Sequence, residues 1–232
     1  MATDINVLGV EVPPLQAGDR LTLAEFERRW DGMPEVVKAE LIDGVVYMPP
    51  ALSIDHGAPH FDLITWLGYY RMLTPGVGGA DNASVRFGGD NMPQPDALLH
   101  ILESHGGRCK VTADRYLEGA PELIAEIASS TTKIDMGVKR ELYRRFGVRE
   151  YIVWRVAERA VDWFTLRNGH YFPLDSDPEG VIRSEVFPGL WLDPAALVTG
   201  NAAKLLSVAQ QGHGSPEHCS FIAELQRRVS GH

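Results

Sequence analysis

The sequence predicts an α/β fold built on a mixed β-sheet flanked by helices, and three observations predict it. Helix-like and strand-like segments follow one another in the order helix, strands, strand, helix, strand, as in a sheet sandwiched by helices. Two dipeptides, Asp43-Gly44 and Asn168-Gly169, lie between apolar runs and supply the positive φ angles of tight hairpin turns. One segment, PELIAEIASS over residues 121–130, is apolar on both faces of a period-two strand, the pattern of a central strand covered on both sides.

Taken in order, residues 1–20 read as a loose arm with paired prolines at Pro13 and Pro14. Thr22 can cap a short helix through LAEFERRW, and Glu25 three residues on completes a capping box. KAELIDGVVYM then forms the first hairpin. Ser53 or Asp55 opens a helix through about Met72, with Phe61, Leu63, Ile64 and Leu67 as its apolar stripe, and Pro75-Gly76 ends it. Short strands are expected near Ser84–Phe87 and Asp96–Ile101, separated by the turn-forming GGDNMPQP, and residues 103–119 read as a surface connection. After the 121–130 strand, Thr132 and Asp135 resemble a capping box and Gly147 suits the left-handed C′ position, so the segment between should be helical. YIVWRV and VDWFTL are strands, the second leading through Asn168-Gly169 into HYFPL. Beyond Gly200 the composition is helical in two pieces divided by QGHGSPEH. The expected organisation is an arm over 1–20, one domain over 21–199 and a helical tail over 200–232.

With 232 residues, 44% hydrophobic, the chain is long enough for one well-formed core. Its formal net charge of −9 argues against broad, nonspecific binding to nucleic acid, since phosphate affinity comes from Lys and Arg. Any such contact must be local, and the densest basic cluster is Lys139, Arg140, Arg144, Arg145 and Arg149. The first residues carry no basic region before an apolar run, and no stretch approaches roughly eighteen apolar residues, so a cytoplasmic protein is expected. The two cysteines, Cys109 and Cys219, lack CxxC spacing, which fits a reducing compartment and argues against a thiolate zinc site. No GxxxxGK[ST], GxGxxG or GxSxG occurs, which disfavours nucleotide hydrolysis, Rossmann-type redox chemistry and an acyl-transfer serine. GVGGAD at 76–81 is glycine-rich but lacks the spacing of a phosphate loop.

Glu126 stands out because it is a carboxylate inside the doubly apolar strand. An ionised carboxylate there needs a cation, hydrogen bonds or a metal to offset several kcal/mol of desolvation. Asp96 in MPQPDALLHIL and Lys139 in the following helix are the candidate partners. On that helix Ile134, Val138 and Leu142 should pack onto the sheet, with Asp135, Lys139 and Tyr143 on the adjacent stripe. Lys139 would then lie at the edge of the buried face, with Ala128 leaving room for it. Carboxylates on adjacent strands suit Mg²⁺, or Mn²⁺ in its place, so Asp96 and Glu126 are the expected metal ligands. Lys139 is expected to stabilise charge on a phosphate or to orient the attacking water.

PQPDALL, PELIAEIASST, Asp135, Lys139, Tyr143 and GVREYIVW occur in that order. This set resembles the Uma-type family of restriction-endonuclease-like bacterial proteins, a branch of the PD-(D/E)xK nuclease superfamily. The AELIDG hairpin and His56 before the long helix match the same pattern, so the likeness spans roughly residues 20–195. It implies a restriction-endonuclease-like core and a metal-dependent endonuclease acting on DNA, and a homodimer is expected because two symmetric sites are the simplest way to cut both strands. It also implies that Glu40 faces the same cleft, and His56 could line it as a proton shuttle or phosphate contact. The sequence departs from the pattern at Ala128, where the superfamily has lysine, and Lys139 on the next helix is the expected substitute. Two other readings fit these residues: an inert binding module on the nuclease fold, and a metal hydrolase of another phosphate ester. His56 and His60 have the i, i+4 spacing of a metal pair, but Pro59 between them and the lack of a zinc-protease Glu disfavour zinc.

Overall fold

The computed structural model describes residues 12–36, 38–49 and 53–230, so residues 1–11 of the expected arm lie outside the described residues. Thr22 caps α1 (Leu23–Asp31), its hydroxyl accepting from the Glu25 backbone N–H at 3.3 Å. The reciprocal half of the capping box is missing. Glu25 turns instead to Arg28 and Arg29, whose hydrogen bonds hold its carboxyl down at about 2. The hairpin of β1 (Glu40–Ile42) and β2 (Val45–Tyr47) forms around Asp43 and Gly44, both at positive φ (51° and 72°), as its right-handed strand twist requires.

The long helix α2 (Ile54–Met72) packs through Leu63, Trp66, Leu67 and Tyr70. Phe61, expected on that stripe, points outward at 73% exposure, because the two large aromatics one to three turns further on define the inward face instead. After it comes β3 (Val77–Asp81), an edge strand in the glycine-rich segment that gave no strand signal. A Cβ at Gly78 would meet the His100 ring on the neighbouring strand, which lies over the space the glycine leaves open. β4 (Val85–Arg86) does not join that sheet. It pairs with β7 (Leu117–Glu118), which pairs with β6 (Lys110–Val111), so the connection over 103–119 carries a small sheet of its own.

The main sheet continues with β5 (Ala97–Ile101), β8 (Leu123–Ala128), β9 (Glu150–Arg155), β10 (Ala160–Arg167) and β11 (His170–Pro173), in the order β11-β10-β9-β8-β5-β3. Among the described residues, β8 and β9 are its one parallel pair. Parallel neighbours need a crossover. Here it is a helix of three parts: α3 (Thr132–Ile134), a π-helical turn (Asp135–Lys139) and α4 (Arg140–Arg145). Gly147 closes it at φ 76°, as expected of a left-handed C′ residue.

All six residues of β8 are buried, and they divide by parity. Leu123, Ala125 and Ile127 join the core under α2, which also takes Leu205 of α6 (Ala202–His213) and Leu225 of α7 (Pro216–Ser230). Ile124 and Ala128 join the core under the crossover helix with Tyr143, Tyr151 and Val153. Glu126 therefore faces the crossover helix. A last segment, β12 (Ile182–Arg183), β13 (Trp191–Leu192) and α5 (Pro194–Thr199), covers the α2 side, and Asp193 caps α5 by accepting from the Ala196 backbone N–H. Its 184–187 loop is anchored on the carboxylate of Glu150.

Candidate active site

Burial along the crossover helix departs from the expected row over the π-turn. Ile134 and Val138, expected inside, are only half-buried, whereas Asp135 and Lys139 are buried with Leu142 and Tyr143. A wide turn carries one residue more than an α-turn, and across it Asp135 and Lys139 face the sheet, while Leu142 of the apolar row is still buried beyond it. Lys139 accordingly lies inside the packed face, 4% exposed, rather than at its edge. The expected capping box of Thr132 and Asp135 does not form: Thr131 is the N-cap, without a side-chain cap bond, and its hydroxyl donates instead to the Asp135 carboxylate at 2.5 Å.

Lys139 Nζ stands 2.9 Å from Glu40 Oε1, 3.0 Å from Glu126 Oε1 and 3.8 Å from Asp135 Oδ1. The Tyr143 hydroxyl donates to the same Glu126 oxygen at 2.7 Å. Glu40 is held by the Gln94 backbone N–H at 2.8 Å. Asp96, at the entrance to β5, divides its two oxygens: Oδ2 accepts from the Ile127 backbone N–H at 2.8 Å, and Oδ1 pairs with Lys38 Nζ at 2.9 Å. The Asp96 backbone N–H lies 3.4 Å from Glu126 Oε2, which joins the two carboxylates across the neighbouring strands. His56 Nε2 is buried without a hydrogen-bond partner, 3.7 Å from Asp96 Oδ1.

Burial dominates the electrostatics. It raises the Glu126 carboxyl against the pull of Lys139, and it raises Asp135 as well. Burial also opposes charge on Lys139, but Glu126, Glu40 and Asp135 together hold its ammonium well above the ordinary lysine range. Asp96 is the exception: burial would raise it, yet Lys38 and Lys139 keep it below the usual carboxylate range. Desolvation lowers His56, so its imidazole is neutral at neutral pH.

Asp96, Glu126, Lys139, Glu40 and His56 thus line one cavity of about 680 Å³. His60 lies apart from it, its Nε2 taken up by the Asp96 carbonyl and the Asp81 carboxylate, each at 3.0 Å. Of the basic cluster, Lys139 is buried and three arginines are engaged by near neighbours. Arg140 stacks on Phe164, Arg144 bonds Glu141 and the Gly169 carbonyl, and Arg145 pairs with Asp43. Lys38 was missed from the sequence. Its signal was there: Lys38 and Glu40 are two apart on extended chain and so share a face. Tyr143, on the stripe shared with Asp135 and Lys139, also binds Glu126.

An acidic pair on neighbouring strands, met by a lysine from the crossover between parallel strands, stands on a nuclease-like α+β fold. The structure is similar to the crystal structure of a putative nuclease belonging to DUF820 from Anabaena variabilis ATCC 29413, with TM-score 0.55 and 18% identity, over 90% of this chain and 99% of that one. At that identity the likeness speaks for the fold. A family model described as "Uma2: Putative restriction endonuclease" matches residues 23–195, and the chain belongs to that family. No curated protein matches it.

Proposed function

We propose that the protein is a metal-dependent endonuclease that hydrolyses phosphodiester bonds in DNA, working as a homodimer. The observation that carries this reading is the meeting of Asp96, Glu126 and Lys139 in one cavity, on the fold of a family described as restriction endonucleases. A homodimer suits it because two symmetric sites are the simplest way to cut both strands.

The donor set fits Mg²⁺, with Mn²⁺ as its substitute. Asp96 and Glu126 offer hard carboxylate oxygens on neighbouring strands, and Mg²⁺ is commonly held by one or two carboxylates with waters completing its shell. Asp96 and Glu126 would hold the ion, which when bound polarises a phosphoryl oxygen and acidifies a water. The remaining work belongs to the chain. Lys139 presents a fixed ammonium to charge building on the phosphate, and Glu40 and Asp135 hold it in place. Tyr143 fixes the Glu126 carboxylate by its hydroxyl. His56, which lines the cavity and whose buried Nε2 lies without a hydrogen-bond partner 3.7 Å from Asp96 Oδ1, can take or give a proton there.

The test is supercoiled plasmid incubated at low salt in Mg²⁺ and in Mn²⁺ with wild type and with Glu126→Ala, both checked for folding by circular dichroism. Wild type is expected to nick the plasmid while Glu126→Ala leaves it supercoiled. Equal behaviour of the two would refute the assignment and favour an inert binding module on the same fold.

A further inference from the structure

The oxygens of the acidic pair are unequally engaged. Asp96 Oδ2 is tied to the Ile127 backbone, and Glu126 Oε1 to Lys139 and Tyr143. The oxygens left to face a cation are Glu126 Oε2, approached by the Asp96 N–H at 3.4 Å, and Asp96 Oδ1. Lys38 Nζ sits on that second oxygen at 2.9 Å, with Asn82 Oδ1 at 3.3 Å as its other anchor.

The two lysines of the cavity differ in how they are held. The Lys139 side chain is 5% exposed and meets three carboxylates, whereas that of Lys38 is 17% exposed and meets one. Lys38 is the looser of the two, and it lines the cavity. Its stem is long enough to swing while its charge stays in solvent reach.

We infer that Lys38 is an exchangeable cation: it neutralises Asp96 when no metal is bound, and metal entry displaces its ammonium into the cavity, where it contacts the phosphodiester anion. This rests on the metal-dependent reading above and adds a residue to it. Lys38 is a competitor for the metal and a ligand for the substrate, so its removal acts with opposite sign on the two. Without Lys38, Asp96 Oδ1 is open and the cation no longer displaces a like charge.

The experiment uses Mn²⁺ alone as probe, without nucleic acid. Calorimetric titration compares wild type, Lys38→Met and, as a charge control, Lys110→Met, a surface lysine paired with Glu118. In parallel, wild type with and without Mn²⁺ is treated with an amine-acetylating reagent and modification at Lys38 is read by peptide mass spectrometry. Lys38→Met is expected to bind Mn²⁺ about tenfold more tightly, Lys110→Met to match wild type, and Lys38 acetylation to rise several-fold when Mn²⁺ is added. If folded Lys38→Met binds no more tightly than wild type, or Lys110→Met tightens equally, the exchange is refuted while the metal reading stands. Unchanged acetylation of Lys38 in Mn²⁺-bound wild type refutes it equally, and does so even if Lys38→Met fails to fold. Wild type that takes up no Mn²⁺ overturns both.

Discussion

Replacing Lys139 by methionine is expected to lower folding stability by about 3–5 kcal/mol at neutral pH and to abolish plasmid nicking. Lys139 is the shared partner of Glu40, Glu126 and Asp135, all of them buried. Methionine fills much of the same volume, so the loss is electrostatic: carboxylates stay in the interior without their cation, a situation costlier than never having buried the pair. Acidification should shrink the difference, because a protonated carboxyl needs no counter-charge. Urea unfolding of both proteins at pH 5 and pH 8 measures it. A variant as stable as wild type at pH 8 that still nicks plasmid would end the proposed role of Lys139.

The second large effect lies away from the cavity. Glu150→Ala is expected to cost about 3 kcal/mol, since it strips the partner from several buried donors at once. Glu150 Oε1 accepts from the Glu185 and Val186 backbone N–H groups at 2.7 and 3.1 Å, and Oε2 from the Ser184 hydroxyl and the Trp163 indole at 2.7 and 3.3 Å. Burial nevertheless pushes its carboxyl up to about 7, against the pull of those donors. Proton counts set the sign. Between the ordinary glutamate value of 4.5 and about 7 the folded protein holds a proton that the unfolded chain has released. Stability from this group is therefore full below 4.5 and is lost as pH rises to about 7. Wild type should unfold at lower urea at pH 8 than at pH 5, and Glu150→Ala should flatten that slope. A slope unchanged by the substitution would place the pH dependence elsewhere.

The features legible in the sequence are those that leave a local mark. Asp43-Gly44 and Asn168-Gly169 announce their hairpins because few other dipeptides accept two positive φ angles. Glu126 announces itself because a charge in a doubly apolar strand has no cheap explanation. The misses are long-range. β3 is held by its neighbour rather than by its own residues, and its glycines carry no pattern for a period to reveal. The outward turn of Phe61 follows from Trp66 and Tyr70 claiming the inner face, a competition between residues of equal hydrophobic appeal. Lys38 looks like any surface lysine until Asp96, fifty-eight positions away, is brought beside it. The π-turn is invisible to helical periodicity because that periodicity assumes the turn is absent.

That wide turn has a consequence for how such sites are counted along a chain. A helix containing it carries one residue more than its length in space demands, and that extra residue falls within the thirteen positions that separate Glu126 from Lys139. A relative with an uninterrupted helix would bring a lysine to the same point at a different spacing. In this chain the positive charge reaches the second acidic strand from the crossover helix, so a fixed-interval motif would read as absent a lysine that the fold has delivered.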